Sequence, residues 1–451
     1  MMGRFGWIAV LVAMLAGGAW AGEPVRGEDG RVVVDFWHGM GGDQGRAINE
    51  ISDLFNKSQE KYRAVAVYQG RYDSLAQKLI AACYARRNPA VSQMYPGWST
   101  RFHRFGYLKT ITEFAADDAD FREKALPDFY PVMLEENTMP NPASGELEVV
   151  TLPFNKSVYV LFVNQTRMEK LGWTHPPRTW AEFRKLAEEM TVVPEGGGAP
   201  TTYGFATRTF IEDFTVQAFS AGTQLLDEES GEILVDSPAA VAALDFLHSM
   251  VMEPEPVKGA GESEKPAKRI GYVESGYLNA VFGSERIGMY IASTASFRYN
   301  DQAVGNKFIW SCYPIPSRDA ETPGKTLMQG TNVGIFAGLP AETEAGAWEF
   351  VKFLTSPEMT ALWGMRTGYM PVRRSAGDLP EFRAHLEKDV RYANAMGTLE
   401  NAAYEPRLIY WETVRSALSR EVDSVMFDRR STADALAAAR RAIEDAKLHA
   451  D

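Results

Sequence analysis

The chain has 451 residues, 45% hydrophobic and 12% aromatic, with 59 acidic against 47 basic side chains and a formal charge of −12. That apolar content is ample for large cores, and the acidic balance argues against nucleic acid as a partner, because phosphate binding needs clustered cations. Only two cysteines occur, Cys83 and Cys312, so there is no disulfide framework and no zinc pattern. Two buried thiols are expected rather than a bridge.

Arg4, an apolar run at 8–16 and the small residues of Ala19-Trp20-Ala21 make residues 1–21 an expected signal peptide, with Gly22 as the mature start. No cysteine follows the cleavage position, so no lipid anchor is expected there. About 430 residues remain, enough for two or three domains or two large lobes. No other long apolar stretch exists, so no transmembrane helix is expected, and the mature protein is read as exported and free in solution.

Residues 32–42 (VVVDFWHGMGG) run from β-branched residues into glycines. Apolar residues at Ile48, Ile51, Leu54 and Phe55 then follow helical spacing. Strand, glycine loop and helix are predicted, the opening of an α/β domain. Such a loop offers backbone N–H groups to an anion, but neither a dinucleotide nor an NTP fingerprint is present. Residues 62–68 alternate like a strand, 73–86 read as a helix and 90–95 as a short buried strand. These βα steps argue for a mainly parallel sheet with helices on both faces. In open sheets of this kind ligands bind beyond the carboxyl ends of the strands, where Trp37, His38, Tyr72, Tyr95 and Trp98 fall.

Past Leu108 the order changes. Helices are predicted over 117–124 and 127–136, then strands over 148–152 and 158–164 separated by the connection PFNKS at 153–157. Thr179 and Glu182 have capping-box spacing at the start of a helix. A helix is expected over 239–252, and 253–268, rich in Pro, Glu and Lys, reads as an exposed insertion. A strand starts near Ile287 and leads to Ser293, whose plain reading is a turn or cap residue. Strands near 308–313 and 334–337, helices over 342–354 and from Ser356 to Gly368, and C-terminal helices over 408–425 and 433–447 complete the chain.

In this order FWHGMGG, LPFNKS, TWAEF, FGSERIGM, SPEM, TGYMP and the C-terminal helix pair resemble the family 1 extracellular solute-binding proteins of ABC importers. The likeness is strongest to those members that bind glycerol-3-phosphate. It implies a two-lobed α/β periplasmic-binding-protein fold of type II, with ligand enclosed between lobes joined by a multi-segment hinge. The lobes are expected at 22–113 plus 332–368 and at 114–331 plus 369–451. The resemblance further implies a small-molecule ligand, ABC permease subunits as partners, a monomer, and no cofactor, metal or catalysis.

Glycerol-3-phosphate binders of the family hold their ligand with tyrosines, serines, a glycine N–H and an arginine. On matching positions the resemblance puts Tyr72, Ser157, Ser293, Gly330, Tyr369 and Arg415. Arg415 suits a bidentate pair with phosphate, the hydroxyls suit its remaining oxygens, and glycine permits close backbone approach. Plainer readings stand beside these: Arg415 paired with Glu412 or Asp423 on its own helix, Tyr72 as lobe packing, Ser157 as a turn residue. One position departs from the family, where Pro96 replaces an acid that contacts glycerol hydroxyls. Trp37, His38 and Trp98 are therefore expected to shape that end of the ligand. The implied solute is a small phosphorylated polyol, glycerol-3-phosphate or a glycerophosphodiester. A neutral oligosaccharide is the rival within the class. A secreted carbohydrate-active enzyme is the remote one, since no acid stands in a motif and His38 has no partnered nucleophile signature.

Overall fold

The computed structural model describes residues 23–252, 269–322 and 324–449. The expected signal peptide at 1–21 and the insertion at 253–268 lie outside the described residues. The strands are β1 (Val32–His38), β2 (Tyr62–Tyr68), β3 (Val91–Met94), β4 (Leu108–Lys109), β5 (Thr138–Pro140), β6 (Leu147–Val149), β7 (Leu152–Asn164), β8 (Tyr203–Arg208), β9 (Gly271–Glu274), β10 (Ile287–Ser293), β11 (Trp310–Tyr313), β12 (Thr326–Phe336) and β13 (Ala402–Ala403).

Both β2 and β3 pair with β1 in parallel, as the βα steps predict. Strand alternation sends Val32, Val34 and Phe36 to one face, against helices Gly42–Ser58 and Ala341–Leu354. It sends Trp37 to the other face, against Leu75 and Leu79 of helix Tyr72–Ala85 and Phe102 of helix Pro96–Arg104. The second half of the molecule repeats the scheme around β10, which lies between β7 and β8. There Leu161, Phe205 and Met289 pack toward the helices Trp180–Met190, Pro238–Val251, Trp411–Met426 and Thr432–Leu448. Phe162, Ala206 and Tyr290 face the opposite way, toward Phe282 and Phe297.

Two long strands join the halves. β7 pairs with β12 through its first residues and with β10 and β11 through its last. β12 in turn pairs with β7 and then with β3. The PFNKS connection expected between two strands is thus the interior of one, and all thirteen residues of β7 are buried. Pro153 is tolerated because it lies near the strand start, opposite a register shift between Thr331 and Asn332. The polar Asn155 and Lys156 find side-chain partners across the sheet, so burial does not orphan them.

Other boundaries moved for local reasons. The helix expected over 127–136 keeps only Pro131–Glu136, because Tyr130 before that proline is extended at φ −63° and ψ 129°. The helix expected over 117–124 is replaced by Ile111–Ala116 followed by a short π-turn at Phe121–Ala125. Thr179 caps its helix as predicted, but the Glu182 carboxylate accepts from the Arg178 N–H at 2.7 Å instead of closing the box on Thr179. Both cysteines are buried free thiols. Among the described residues no helix is long and apolar enough to cross a membrane.

Candidate ligand-binding cleft

Where β7 and β12 run together, Gly330 has φ +124°, and a Cβ there would lie 1.9 Å from the Asn155 carbonyl oxygen. Only glycine allows that approach. Behind it a polar network ties the halves together. The Asn155 amide donates to the Tyr72 hydroxyl at 3.1 Å, and its carbonyl oxygen accepts from Gln93 at 2.9 Å and from Thr331. Gln93 also accepts the Gly39 N–H at 3.0 Å, so the glycine loop after β1 is anchored to this network.

A cavity of about 570 Å³ opens in front of Gly330. Its first wall is built by the turns that end β2 and β3: Arg71, Tyr72 and Asp73 from one, Tyr95, Pro96 and Trp98 from the other. Pro96 occupies the first turn of its helix, where its missing N–H is harmless. Tyr72 and Tyr95 meet edge to face with ring centroids 4.9 Å apart, and Tyr95 and Trp98 at 5.3 Å, a favoured aromatic geometry. Burial pushes the Tyr72 and Tyr95 phenols far above their ordinary range, so both stay protonated as donors. Glu136 forms part of the lining and pairs with Lys156, a buried ion pair.

The facing wall carries Arg415 with Glu212, Glu405 and Glu412. Arg415 Nη1 donates to both Glu405 oxygens, one at 2.5 Å, and Nη2 donates to Glu212; Glu412 lies 3.9 Å from Nε. Burial opposes the charge on Arg415, but Glu405 and then Glu212 overcome it and hold the guanidinium charged. The carboxylates diverge. Burial raises Glu405 and Glu412, whereas at Glu212 burial is overcome by Arg415, the residue's own backbone N–H and Arg208 together, and the carboxyl is lowered. Glu212 also sits in the first turn of helix Ile211–Ser220, where a negative charge is favoured. Gln329 completes the group, its amide donating to Glu405 at 3.2 Å.

Past Arg415 a second cavity of about 830 Å³ follows, with Thr209, Phe210, Ser416, Ser419 and Arg420 in its lining. Glu212, Glu412 and Arg415 line both cavities. The arginine therefore stands where the first cavity meets the second, a more open depression on the surface. Among the described residues no group of three or more His, Cys, Asp or Glu is placed to hold a metal ion.

Of the residues singled out from the sequence, Tyr72, Tyr95, Pro96, Trp98, Gly330 and Arg415 meet in the first cavity. The remaining ones are not in its lining. Ser157 is buried in β7 with its hydroxyl 3.5 Å from the Gln329 carbonyl. Ser293 caps the following turn through the Ala295 N–H at 3.2 Å, its plain reading. Tyr369 is buried and stacked on Trp363 at 5.6 Å, with its hydroxyl reaching Asn155 beside Tyr72, so it joins the polar network behind the cavity. Trp37 packs on the lobe's own helices, and His38, on the opposite face of β1, is buried beside Phe36 and Tyr68. Glu212 and Glu405 went unnoticed in the sequence. They come to Arg415 from 203 and 10 residues away, and no motif marks either.

The family model of bacterial extracellular solute-binding proteins matches residues 50–390. The chain belongs to that family. The sn-glycerol-3-phosphate-binding periplasmic protein UgpB of Yersinia pestis is 24% identical over 414 residues, covering 89% of this chain and 89% of the relative. UgpB of Salmonella typhimurium is 25% identical over 417 residues, with 90% of each covered. Among solved structures, UgpB from Mycobacterium tuberculosis in complex with glycerophosphocholine matches with TM-score 0.74 at 20% identity, covering 93% of this chain and 99% of that one. The cyclic alpha-maltosyl-1,6-maltose binding protein from Arthrobacter globiformis matches with TM-score 0.73 at 19% identity, covering 92% and 99%. At these identities the structures show the fold, the two-lobed periplasmic-binding-protein fold of type II, in which ligand is held between the lobes.

Proposed function

We propose that this protein is the periplasmic ligand-capturing subunit of an ABC importer and that its solute is a glycerophosphodiester. Lobe 22–113 plus 332–368 closes on lobe 114–331 plus 369–451, and the closed form delivers the solute, chemically unchanged, to the permease. The observation that carries the reading is Arg415 where the first cavity meets the more open depression. A phosphate paired with it has room for a substituent on either side. Charge supports the same choice. A phosphomonoester brings about −1.5 to −2 at neutral pH to a guanidinium already ringed by Glu212, Glu405 and Glu412, whereas a diester brings a single charge.

The glycerol end fits the cavity of Tyr72, Tyr95 and Trp98. With Pro96 offering no acceptor, its hydroxyls turn to the carboxylates of the facing wall. A cationic head group is compatible with those carboxylates and aromatic rings, and glycerophosphocholine, the ligand of the Mycobacterium tuberculosis UgpB structure, is the natural probe. A second reading, a neutral oligosaccharide, is favoured by the same pairing of stacked aromatics with surplus hydrogen-bond acceptors. Calorimetry with glycerophosphocholine, glycerol-3-phosphate and maltotriose separates them. Tightest binding of glycerophosphocholine is expected. Binding of maltotriose with no response to either phosphate ester overturns the reading.

A further inference from the structure

We infer that Glu405 is an internal stand-in for the ligand's anionic group, occupying the Arg415 guanidinium until a phosphodiester replaces it, with a proton taken up as it yields. The inference rests on the phosphodiester reading of the cleft.

Two carboxylates share the arginine, and they are not equivalent. Glu212 belongs to the first turn of a helix, which favours its charge. Glu405 lies on the non-helical segment between β13 and helix Trp411–Met426 and has a second partner, the Gln329 amide, to receive it when it lets go. The backbone beneath it is pinned. Arg407 pairs with Glu228 at 2.6 Å and donates to the Glu135 carbonyl at 2.6 Å, while Thr100 from the first lobe donates to the Arg407 carbonyl at 2.6 Å. The exchange is therefore a side-chain movement with the chain held in place.

The groups facing Glu405 decide what happens next. Among the described residues Arg415 is its one cationic partner, Glu212 repels it, and the Gln329 amide and the Trp411 indole are neutral groups beside it. The other charges of the cavity are the Glu136–Lys156 pair, Arg71 and Asp73. Once a phosphodiester takes the guanidinium, Glu405 has carboxylates and a bound anion around it and no cation of its own, so it protonates from solvent. Phosphodiester affinity then rises as pH falls, by at most about tenfold per unit, until Glu405 is already protonated in the free protein. Burial already raises its carboxyl, which brings this window toward neutral pH.

The test is calorimetry with glycerophosphocholine on the wild type and Glu405→Gln, between about pH 5 and pH 8 and in buffers of different ionisation enthalpy. Expected is proton uptake by the wild type, and at least about tenfold tighter, pH-independent binding by E405Q. Maltotriose affinity is expected not to follow this pattern. A wild type that binds the diester without proton uptake, or an E405Q variant that binds it no tighter, overturns the inference and leaves the proposed solute standing. A wild type inert to phosphodiesters beside an E405Q variant that binds them supports the stand-in and removes the proposed solute. If both are inert, both ideas fall. The proton count comes from the wild type alone, so a poorly folded variant does not shelter the inference.

Discussion

Lys156, on the long strand that passes from one lobe into the other, forms an ion pair with Glu136 at the end of helix Pro131–Glu136, with side chains 0% and 2% exposed. Removing one member of such a pair leaves a buried charge without its counter-charge, whereas removing both is often tolerated. Lys156→Met is expected to lower unfolding free energy by about 3–5 kcal/mol, and Lys156→Met with Glu136→Leu to recover most of it. Urea unfolding of the three proteins checks this. Equal stability of the single and double variants would show that the pair is not the cause.

Arg415 serves stability as well as binding. Arg415→Ala leaves Glu212 and Glu405 facing each other in a poorly solvated wall, at a cost of roughly 2–4 kcal/mol, and is expected to abolish phosphodiester binding. Arg415→Lys keeps the charge but loses the planar fork, so most stability should return while affinity stays at least about tenfold down. Denaturation and calorimetry on both variants separate the two roles. Full affinity in R415A would remove the arginine from the binding site.

His38 supplies a pH signature unrelated to ligand. It is 2% exposed, its Nδ1 accepts the Met40 N–H at 3.3 Å, and burial depresses the imidazole to about 4 from 6.5. The unfolded chain therefore binds a proton on this residue below about pH 6.5, and the folded chain does so only near 4. Stability is lost as pH falls across that window, by at most about 3 kcal/mol. In His38→Asn, whose side chain can still accept the Met40 N–H, this part of the slope should vanish. Unfolding midpoints measured through the window decide it.

Gly330→Ala forces a Cβ onto the Asn155 carbonyl oxygen at a φ of +124°. The pairing of β7 with β12 must yield, and a loss of at least about 2 kcal/mol is expected, together with weakened binding, because the residue lines the cavity. Hydrogen exchange of the amides around 155 and 330 should accelerate in the variant. Unchanged protection there counts against it.

Much of the architecture was legible where one short window carries the signal. The alternation of 62–68, the cap at Thr179 and the βα steps before Leu108 all recur in the structure. PFNKS misled because its proline and polar residues read as a break, while the partners that let them enter a buried strand, Gln93 and Glu136, lie 62 and 20 residues away. Trp37 and His38 were grouped as neighbours, yet successive strand residues point to opposite faces, and here each is committed to a different packing layer. The partners of Arg415 are the sharpest case. Its own helix offered Glu412 and Asp423 at helical spacing, but the close ones, Glu212 and Glu405, arrive through the fold.

The two cysteines bear on how motion of the lobes can be watched. Cys83 and Cys312 are sealed in separate cores, and burial pushes the Cys83 thiol up to about 11 and the Cys312 thiol upward as well. Thiolate, the form that reacts with maleimides, is thus scarce at both. A cysteine introduced at exposed Ser74 on one rim and another at exposed Ser416 on the other can carry donor and acceptor dyes without first stripping the natural residues. The native chain is already a near-silent background for single-molecule energy transfer.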